Sequence, residues 1–149
     1  MALHFTKHEF LNRKKKVLNY MKEQNLNALL MFKQESMYWL TGYDTFGFVF
    51  FQSLILRNDG EIILLTRTPD LRQAQNTSNI KNIIIWEDKE ESNPTDILKN
   101  ILIDLKLKGK NIAIEYDSYG LTGRNALNLN KSLKDFGNLE DKSDRKSVV

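Results

Sequence analysis

Residues 49–66, VFFQSLILRNDGEIILLT, decide the fold of this chain. Val49 to Leu56 is an apolar run rich in β-branched and aromatic residues, which is typical of a strand. Asn58-Asp59-Gly60 follows it, and such a triplet between two apolar runs is a strong hairpin signal. Glu61 to Thr66 returns as the partner strand. The segment therefore predicts an antiparallel β-hairpin.

The chain before the hairpin predicts a helix, a buried strand and a helical turn. Thr6-Lys7-His8-Glu9 is a capping box, in which the Thr6 hydroxyl accepts a hydrogen bond from the Glu9 amide. Asn25 is suited to the left-handed conformation that ends a helix. Ala28 to Phe32 is short and continuously apolar, as in buried strands, and Gln34 to Leu40 predicts a helical turn. The apolar residues at helical spacing are Phe10, Val17, Leu18 and Met21.

After the hairpin, helical and strand patterns alternate. Thr68-Pro69-Asp70 predicts a cap and a proline at the first position of a short helix to about Gln75. Strands are predicted at Asn82 to Trp86 and Asn111 to Glu115. Helices are predicted to open at Asn93-Pro94 and at Thr122, the last running through Leu133. The helix between the two strands carries an apolar stripe made of Ile97, Leu98, Ile101, Leu102 and Leu105.

This alternation predicts an α/β fold with a mixed β-sheet covered by helices on both faces. One domain is expected over residues 1–143. Residues 144–149 show no periodic pattern, and we expect them to be a non-native or disordered tail.

Composition narrows the function classes. No apolar run reaches the roughly 18 residues of a membrane-spanning helix, and residues 1–7 lack the apolar core of a secretory signal. The absence of cysteine fits a reducing compartment, so we expect a cytoplasmic protein with no membrane partner. The net charge is only +3, and the basic cluster Arg13-Lys14-Lys15-Lys16 is interpreted as a solvated helix face. No nucleic-acid partner is therefore expected, and retention on heparin would contradict this.

Catalytic residue types are scarce. His4 and His8 are the only histidines, and with Glu9 they form the one local candidate for a metal site, although an exposed, unbound role is favoured. Glu115 and Asp117 lie at the end of a predicted strand, where open α/β sheets place ligands. Two residues apart, they point to the same side if the strand continues, so they could bind a metal or act as acid and base. The favoured alternative is structural: Glu115 pairs with an arginine such as Arg67, and Asp117 starts a turn.

An aromatic segment around a glycine is the most unusual stretch. Its side chains could pack in the core beneath the sheet, or they could form a surface of anchors for a partner or substrate. The residues in question are Tyr38, Trp39, Leu40, Thr41, Gly42 and Tyr43, followed by Asp44 and by Phe46, Phe48, Phe50 and Phe51.

Four motifs in order resemble N-terminal domains of the creatinase, prolidase and Xaa-Pro aminopeptidase family. The first is the Tyr-Trp-Leu-Thr-Gly-Tyr segment at 38–43. The second is Leu64-Leu65-Thr66-Arg67, with Asp70 and Ala74 after it. The third is Trp86-Glu87-Asp88. The fourth is Ile112-Ala113-Ile114-Glu115-Tyr116-Asp117 with Leu121-Thr122. The likeness spans residues 6 to 143.

The resemblance implies a ribonuclease-H-like domain that precedes a catalytic "pita-bread" domain. In the peptidase members, that second domain holds two divalent metal ions (Mn, Co or Zn) through Asp, Asp, His, Glu and Glu, and a metal-activated water attacks a small peptide or amide. This chain would carry no catalytic residue, metal or cofactor of its own. The resemblance also implies a homodimer in which this domain covers the active-site mouth of the neighbouring subunit, with residues 42–48 as the gating loop.

One departure favours the peptidase branch. The creatine-cleaving members hold the substrate carboxylate with an arginine soon after the aromatic motif, and Asp44 to Ser53 contains none. A Xaa-Pro peptidase or another amidohydrolase, such as an ectoine-hydrolase-like enzyme, remains. The alternative is a free-standing peptide- or protein-binding module of the same fold. A domain without its partner domain should expose an apolar patch, and Phe46, Phe48 and Tyr43 are the candidates.

Overall fold

A six-stranded mixed sheet organises the chain, and the computed structural model describes residues 6–45, 47, 50–87 and 89–142. The helices are α1 (Lys7–Glu23), α2 (Gln34–Thr41), α3 (Leu71–Thr77), α4 (Pro94–Asp104) and α5 (Gly123–Ser132), with a 3₁₀ turn at Thr68–Asp70. The strands are β1 (Ala28–Met31), β2 (Ser53–Arg57), β3 (Ile62–Arg67), β4 (Asn82–Trp86), β5 (Asn111–Ile114) and β6 (Asn138–Asp141).

The strand order across the sheet is β4-β3-β2-β1-β5-β6. β2 runs antiparallel to both of its neighbours, and the other three pairings are parallel. Five strands therefore end at one edge of the sheet, which we call the carboxyl edge, and β2 begins there. In open α/β sheets this is the edge that carries binding sites.

Helices cover both faces of the sheet, as the sequence predicted. β1 shows why its pattern is continuously apolar: Ala28 and Leu30 pack with α4 and α5, whereas Leu29 and Met31 pack with α1 and α2. Alternate strand residues point to opposite faces, so a strand covered on both sides needs apolar residues at every position. All four β1 residues are fully buried.

The predicted helix signals are confirmed. The hydroxyl of Thr6 accepts a hydrogen bond from the Glu9 amide at 3.1 Å, and Asn25 follows α1 with φ of 56°. The side chain of Asn93 accepts from the Thr95 amide ahead of α4, and Thr122 accepts from the Asn125 amide at the start of α5. These bonds satisfy amides that have no partner inside their helix.

The hairpin is confirmed, with a shorter first strand than predicted. β2 begins at Ser53, whereas Phe50 to Gln52 belong to a loop in which the Phe50 amide donates to the Gly47 carbonyl. Residues 68–70 also differ from the prediction, because Thr68 lies inside a 3₁₀ turn and does not cap a helix with its side chain.

Strand β6 was not predicted. It pairs with β5 through Asn111↔Asn138 to Ile114↔Asp141, and only Leu139 among its four residues is apolar. An edge strand with one partner needs little apolar surface, so its sequence carries no alternating pattern.

Arg13 corrects the interpretation of the basic cluster as a solvated face. Its guanidinium donates to the Trp39 carbonyl at 2.8 Å and lies 5.4 Å from the Trp39 ring centroid and 5.8 Å from that of Phe10. Arg13 therefore joins α1 to α2 through a hydrogen bond and cation–π contacts. Lys15 and Lys16 are exposed, as predicted.

Glu115 follows β5, the strand next to β1, and it caps the start of α2. Its Oε1 accepts from the Phe32 and Lys33 amides at 3.1 and 3.2 Å, and its Oε2 accepts from the Ser36 hydroxyl at 2.7 Å. Lys33, the N-cap residue of α2, makes no side-chain cap of its own. A carboxylate delivered by the residue after β5 thus satisfies the amides where β1 passes into α2, and the helix dipole favours its negative charge.

We expect Glu115→Ala to lower the free energy of unfolding by roughly 2–4 kcal/mol, because it leaves two amides and a buried hydroxyl without an acceptor. Glu115→Gln should cost about 1 kcal/mol or less, since its amide oxygen still accepts from both backbone groups. Urea unfolding of both variants checks this, with exposed Glu91→Ala as the control. Equal losses for Ala and Gln would contradict the capping role.

The burial of Glu115 also predicts that the stability difference between the wild type and Glu115→Gln depends on pH. Burial raises the pKa of Glu115 above the ordinary value of 4.5, although hydrogen bonds from Ser36, Lys33 and Phe32 oppose the shift. The native state therefore keeps this proton where the unfolded chain has lost it, so the stabilisation is complete below pH 4.5 and is lost as the pH rises through the native pKa. The stability difference should move in favour of Glu115→Gln between pH 4 and pH 7, and the opposite trend would refute the assignment.

Candidate functional site

Residues 42–52, which we call the crossing loop, connect the end of α2 to the start of β2 at the carboxyl edge, and the structure describes residues 42–45, 47 and 50–52 of it. Gly42 ends α2 in the left-handed conformation with φ of 83°, and its amide donates to the Tyr38 carbonyl. The glycine lets the chain turn out of the helix without the strain that a side chain would impose. The loop therefore leaves α2 in a fixed direction.

Tyr43 fastens the first part of the crossing loop inside the protein. Its hydroxyl donates to the Gln52 side-chain oxygen at 2.7 Å and lies 3.3 Å from the Thr66 hydroxyl, which donates to the same oxygen at 3.1 Å. All three side chains are buried. The Gln34 side chain adds a bond to the Tyr43 carbonyl at 2.8 Å. The start and end of the loop are thereby joined to each other and to β3.

Burial makes the Tyr43 hydroxyl a poor acid. Desolvation raises its pKa from 10.0 to about 12, against the opposing effect of the hydrogen bond with Thr66. The hydroxyl thus stays neutral at physiological pH. It serves as a structural donor in this network.

Asp70 fastens the middle of the crossing loop. Its Oδ1 accepts from the Thr45 hydroxyl at 2.6 Å, and its Oδ2 accepts from Nε of Arg67 at 3.2 Å. The Thr45 hydroxyl in turn accepts from the Gly47 amide. A Cβ atom at position 47 would lie 2.8 Å from Cγ of Asp70, so only glycine allows this approach.

Phe50 is an exposed aromatic residue of the loop. Its ring lies 3.5 Å from the guanidinium carbon of Arg67, and its side chain is 41% exposed. Arg67 is itself held by buried Asp70. An apolar ring stacked on a fixed cation therefore faces solvent at the carboxyl edge, a combination that suits recognition of a ligand or partner.

The structure separates Glu115 and Asp117, the two carboxylates that the sequence placed together as a candidate site. Glu115 is buried, whereas Asp117 is exposed in a turn closed by the Ser118 amide and the Tyr116 carbonyl. The strand ends at Ile114, so the two carboxylates do not share a side. The predicted pairing of Glu115 with Arg67 is also wrong. β2 and β1 lie between β3, which ends at Arg67, and β5, which precedes Glu115, and this places the two strand ends about 14 Å apart.

The aromatic segment is mainly core. Thr41, Gly42 and Tyr43 are buried, so Tyr43 is not part of an exposed apolar patch. Tyr38 and Trp39 are half-buried, and Asp44 is exposed while its amide donates to the Thr77 hydroxyl at 2.9 Å. Phe46 and Phe48 lie outside the described residues, as do His4, Asp88 and the predicted tail at 144–149.

Sequence reasoning missed Gln52, Thr66 and Thr45, which hold the crossing loop. Gln52 had a usable signal, because a lone polar side chain inside the apolar run 49–56 must be hydrogen-bonded if it is buried. Thr66 and Thr45 carry no comparable signal, since threonine is ordinary in strands and loops.

No metal centre is built by the residues that the structure describes: they contain no group of three or more His, Cys, Asp or Glu side chains able to hold an ion. His8 is exposed and contacts Asn12 at 3.2 Å. Within the same ranges, no helix combines the length and apolar character needed to cross a membrane.

We expect Tyr43→Phe to lower the free energy of unfolding by about 1–2 kcal/mol, because it removes the hydroxyl that the Gln52 and Thr66 side chains contact. The loss should shrink between pH 10 and pH 12, since the unfolded wild-type chain ionises there while native Tyr43 stays protonated, and the wild type alone loses that stability. Unfolding curves across this range check it, with half-buried Tyr20→Phe as the control. A pH-independent difference would contradict the assignment.

Comparisons with known proteins agree with this architecture. The profile of the Creatinase/Prolidase N-terminal domain family matches residues 13–145. An uncharacterized hydrolase/peptidase of Sinorhizobium fredii, y4tM, is 26% identical over 138 residues, covering 88% of this chain and 35% of that protein. The ectoine hydrolase of Halomonas elongata is 31% identical over 96 residues, covering 63% of this chain and 24% of the enzyme. The chain thus matches about a third of one relative's length and about a quarter of the other's.

A solved structure shows the same fold. The Creatinase/Prolidase N-terminal domain of an X-Pro dipeptidase from Streptococcus pyogenes superposes with a TM-score of 0.69 at 15% identity, covering 89% of this chain and 94% of that one. Its mixed α/β architecture corresponds to the six-stranded sheet and flanking helices described above. With the family profile matching most of its length, this chain belongs to the Creatinase/Prolidase N-terminal domain family.

Proposed function

We propose that this chain is the non-catalytic N-terminal domain of a longer, cytoplasmic metallohydrolase of the Xaa-Pro peptidase or creatinase-like type, whose catalytic domain follows it. Two features support the proposal. The matched relatives are a hydrolase/peptidase and an ectoine hydrolase, each roughly two and a half times as long as this chain. The described residues do not fit a two-metal site, so we assign no catalytic step to this chain. The Mn, Co or Zn pair would belong to the following domain.

The role of the domain in that protein would be to gate the active site and to help build a homodimer. The observation that carries this is the stacking of Phe50, on the crossing loop, against Arg67 at the end of β3. Tyr43 and Asp70 hold the loop from within, so the exposed ring is presented in one position and does not swing freely. A fixed aromatic edge at the mouth of a neighbouring site would admit small peptides or amides and hinder longer ones.

A free-standing peptide-binding module is the second candidate. The same exposed ring beside a cation suits the side chain and carboxylate of a peptide, and it requires no second domain. The two functions differ in what the isolated chain does. A module binds peptide alone, whereas a gate acts only when a catalytic domain is present. Calorimetry with proline-containing peptides would separate them, and a saturable heat that Phe50→Ala abolishes would favour the module.

The isolated chain should not split a proline dipeptide supplied with Mn²⁺ or Co²⁺. The whole sequence has two histidines, both within its first eight residues, and bridged metal ions need a set of imidazole and carboxylate ligands. Chromatographic detection of released proline checks this expectation. Activity that follows the purified chain through successive columns would overturn it. The continuing reading frame should encode an Asp, Asp, His, Glu and Glu set, and its absence would count equally against the proposal.

In the longer protein, Phe50→Ala should relax selection by substrate length. We expect kcat/KM for a pentapeptide, relative to a dipeptide, to rise roughly fivefold, which corresponds to about 1 kcal/mol of differential transition-state binding. The matched control is Leu127→Ala, which truncates an exposed apolar side chain that belongs to α5 and not to the crossing loop. A ratio that stays constant in both variants would rule out gating by the crossing loop.

A further inference from the structure

The two edges of the sheet differ in their protection. β6 ends with exposed Glu140 and Asp141, and charges of one sign discourage pairing with another chain. β4 reads Asn-Ile-Ile-Ile-Trp, without charge, proline or glycine, and Ile84 is 37% exposed. Natural edges of this composition are normally shortened, charged or covered. The β4 edge therefore has the character of an interface.

The backbone of β4 is available for pairing. Its ladder with β3 runs from Ile63↔Asn82 to Arg67↔Trp86 and uses one side of the strand. On the other side, no backbone hydrogen bond to residues 82–86 comes from the described part of the chain. The Asn82 side chain turns toward Glu61, which precedes β3, at 2.7 Å, so it leaves the outer side open.

The residues flanking β4 make this edge complementary to itself. In an antiparallel pair centred on Ile84, position 81 of one copy faces position 87 of the other, because both lie three residues from the centre. Those positions hold exposed Lys81 and exposed Glu87, so each end of the pair would join opposite charges on the same face. Glu87 already contacts Lys89, but exposed ion pairs of this kind are weak and exchange readily.

We infer that β4 pairs antiparallel with β4 of a second copy of this chain about a two-fold axis at Ile84, which continues the sheet across the dimer. The inference rests on the dimerisation part of the proposed function, which it deepens, and it is tested separately from gating. A two-fold pairing joins the β4 edge of one copy to the β4 edge of the other, so assembly stops at two copies. A five-residue strand covers less than the roughly 800 Å² per partner of a stable interface, so we expect a weak dimer with Kd of about 10 µM to 1 mM.

Charge reversal tests the register. Lys81→Glu and Glu87→Lys should each weaken the dimer about tenfold, because each places two pairs of like charges opposite each other. The double variant should restore wild-type affinity, since the opposite charges are simply exchanged. Sedimentation equilibrium of the chain at low salt measures all four proteins. Lys108→Glu, an exposed lysine outside β4, is the control for the change in net charge.

A second pair of variants tests the centre. Ile84→Lys should abolish the dimer by opposing two lysines at the axis, whereas Leu127→Lys, at a more exposed apolar side chain, should leave it intact. A chain that stays monomeric at millimolar concentration overturns the inference. A dimer that is insensitive to substitutions at residues 81, 84 and 87 also overturns the inference, and it would show that the chain dimerises through another surface. Assembly beyond two copies would refute a closed two-fold dimer. Gating is tested by a different variant and readout, the pentapeptide-to-dipeptide ratio of Phe50→Ala in the longer protein, so failure of this pairing is distinguishable from failure of gating.

Discussion

The cap that Glu115 places on α2 is the interaction on which the carboxyl edge depends. Through one carboxylate it connects the residue that follows β5 with the residues that lead from β1 into α2. The helix has eight residues and no cap of its own, so it would be marginal in isolation. Its last residue, Thr41, is followed by the glycine that directs the crossing loop. The position of Phe50 thus depends on a glutamate near the far side of the sheet.

Buried polar groups hold the rest of the edge. Tyr43, Gln52 and Thr66 form one closed set of hydrogen bonds, and Asp70 accepts from both Thr45 and Arg67. Apolar contacts alone would allow the loop to slide, whereas paired donors and acceptors are costly to leave unmade and therefore specify one arrangement. These bonds explain how the described residues of the crossing loop keep one arrangement without regular secondary structure.

Much of the fold was predictable because apolar periodicity, caps and turns are local signals. β1, the hairpin at Asn58-Asp59-Gly60, the stripe on α4 and the caps at Thr6 and Thr122 all followed from short stretches of sequence. β6 did not, because an exposed edge strand with acidic residues resembles a loop. For the site, the sequence singled out Glu115, Arg67 and Asp70 but paired the wrong two, since pairing depends on strand order across the sheet. The sheet places β2 and β1 between β3 and β5. Only this strand order shows that Arg67 lies near Asp70 and far from Glu115.

The long-range cap also has a consequence for synthesis. Ser36 and its acceptor are separated by 79 residues, so α2 leaves the ribosome well before the glutamate that completes it. At typical elongation rates of about 5–20 residues per second, several seconds pass in which this helix has no cap and the outer strands cannot yet close over it. The aromatic segment that begins in α2 is therefore synthesised well before the carboxylate that holds its helix in place.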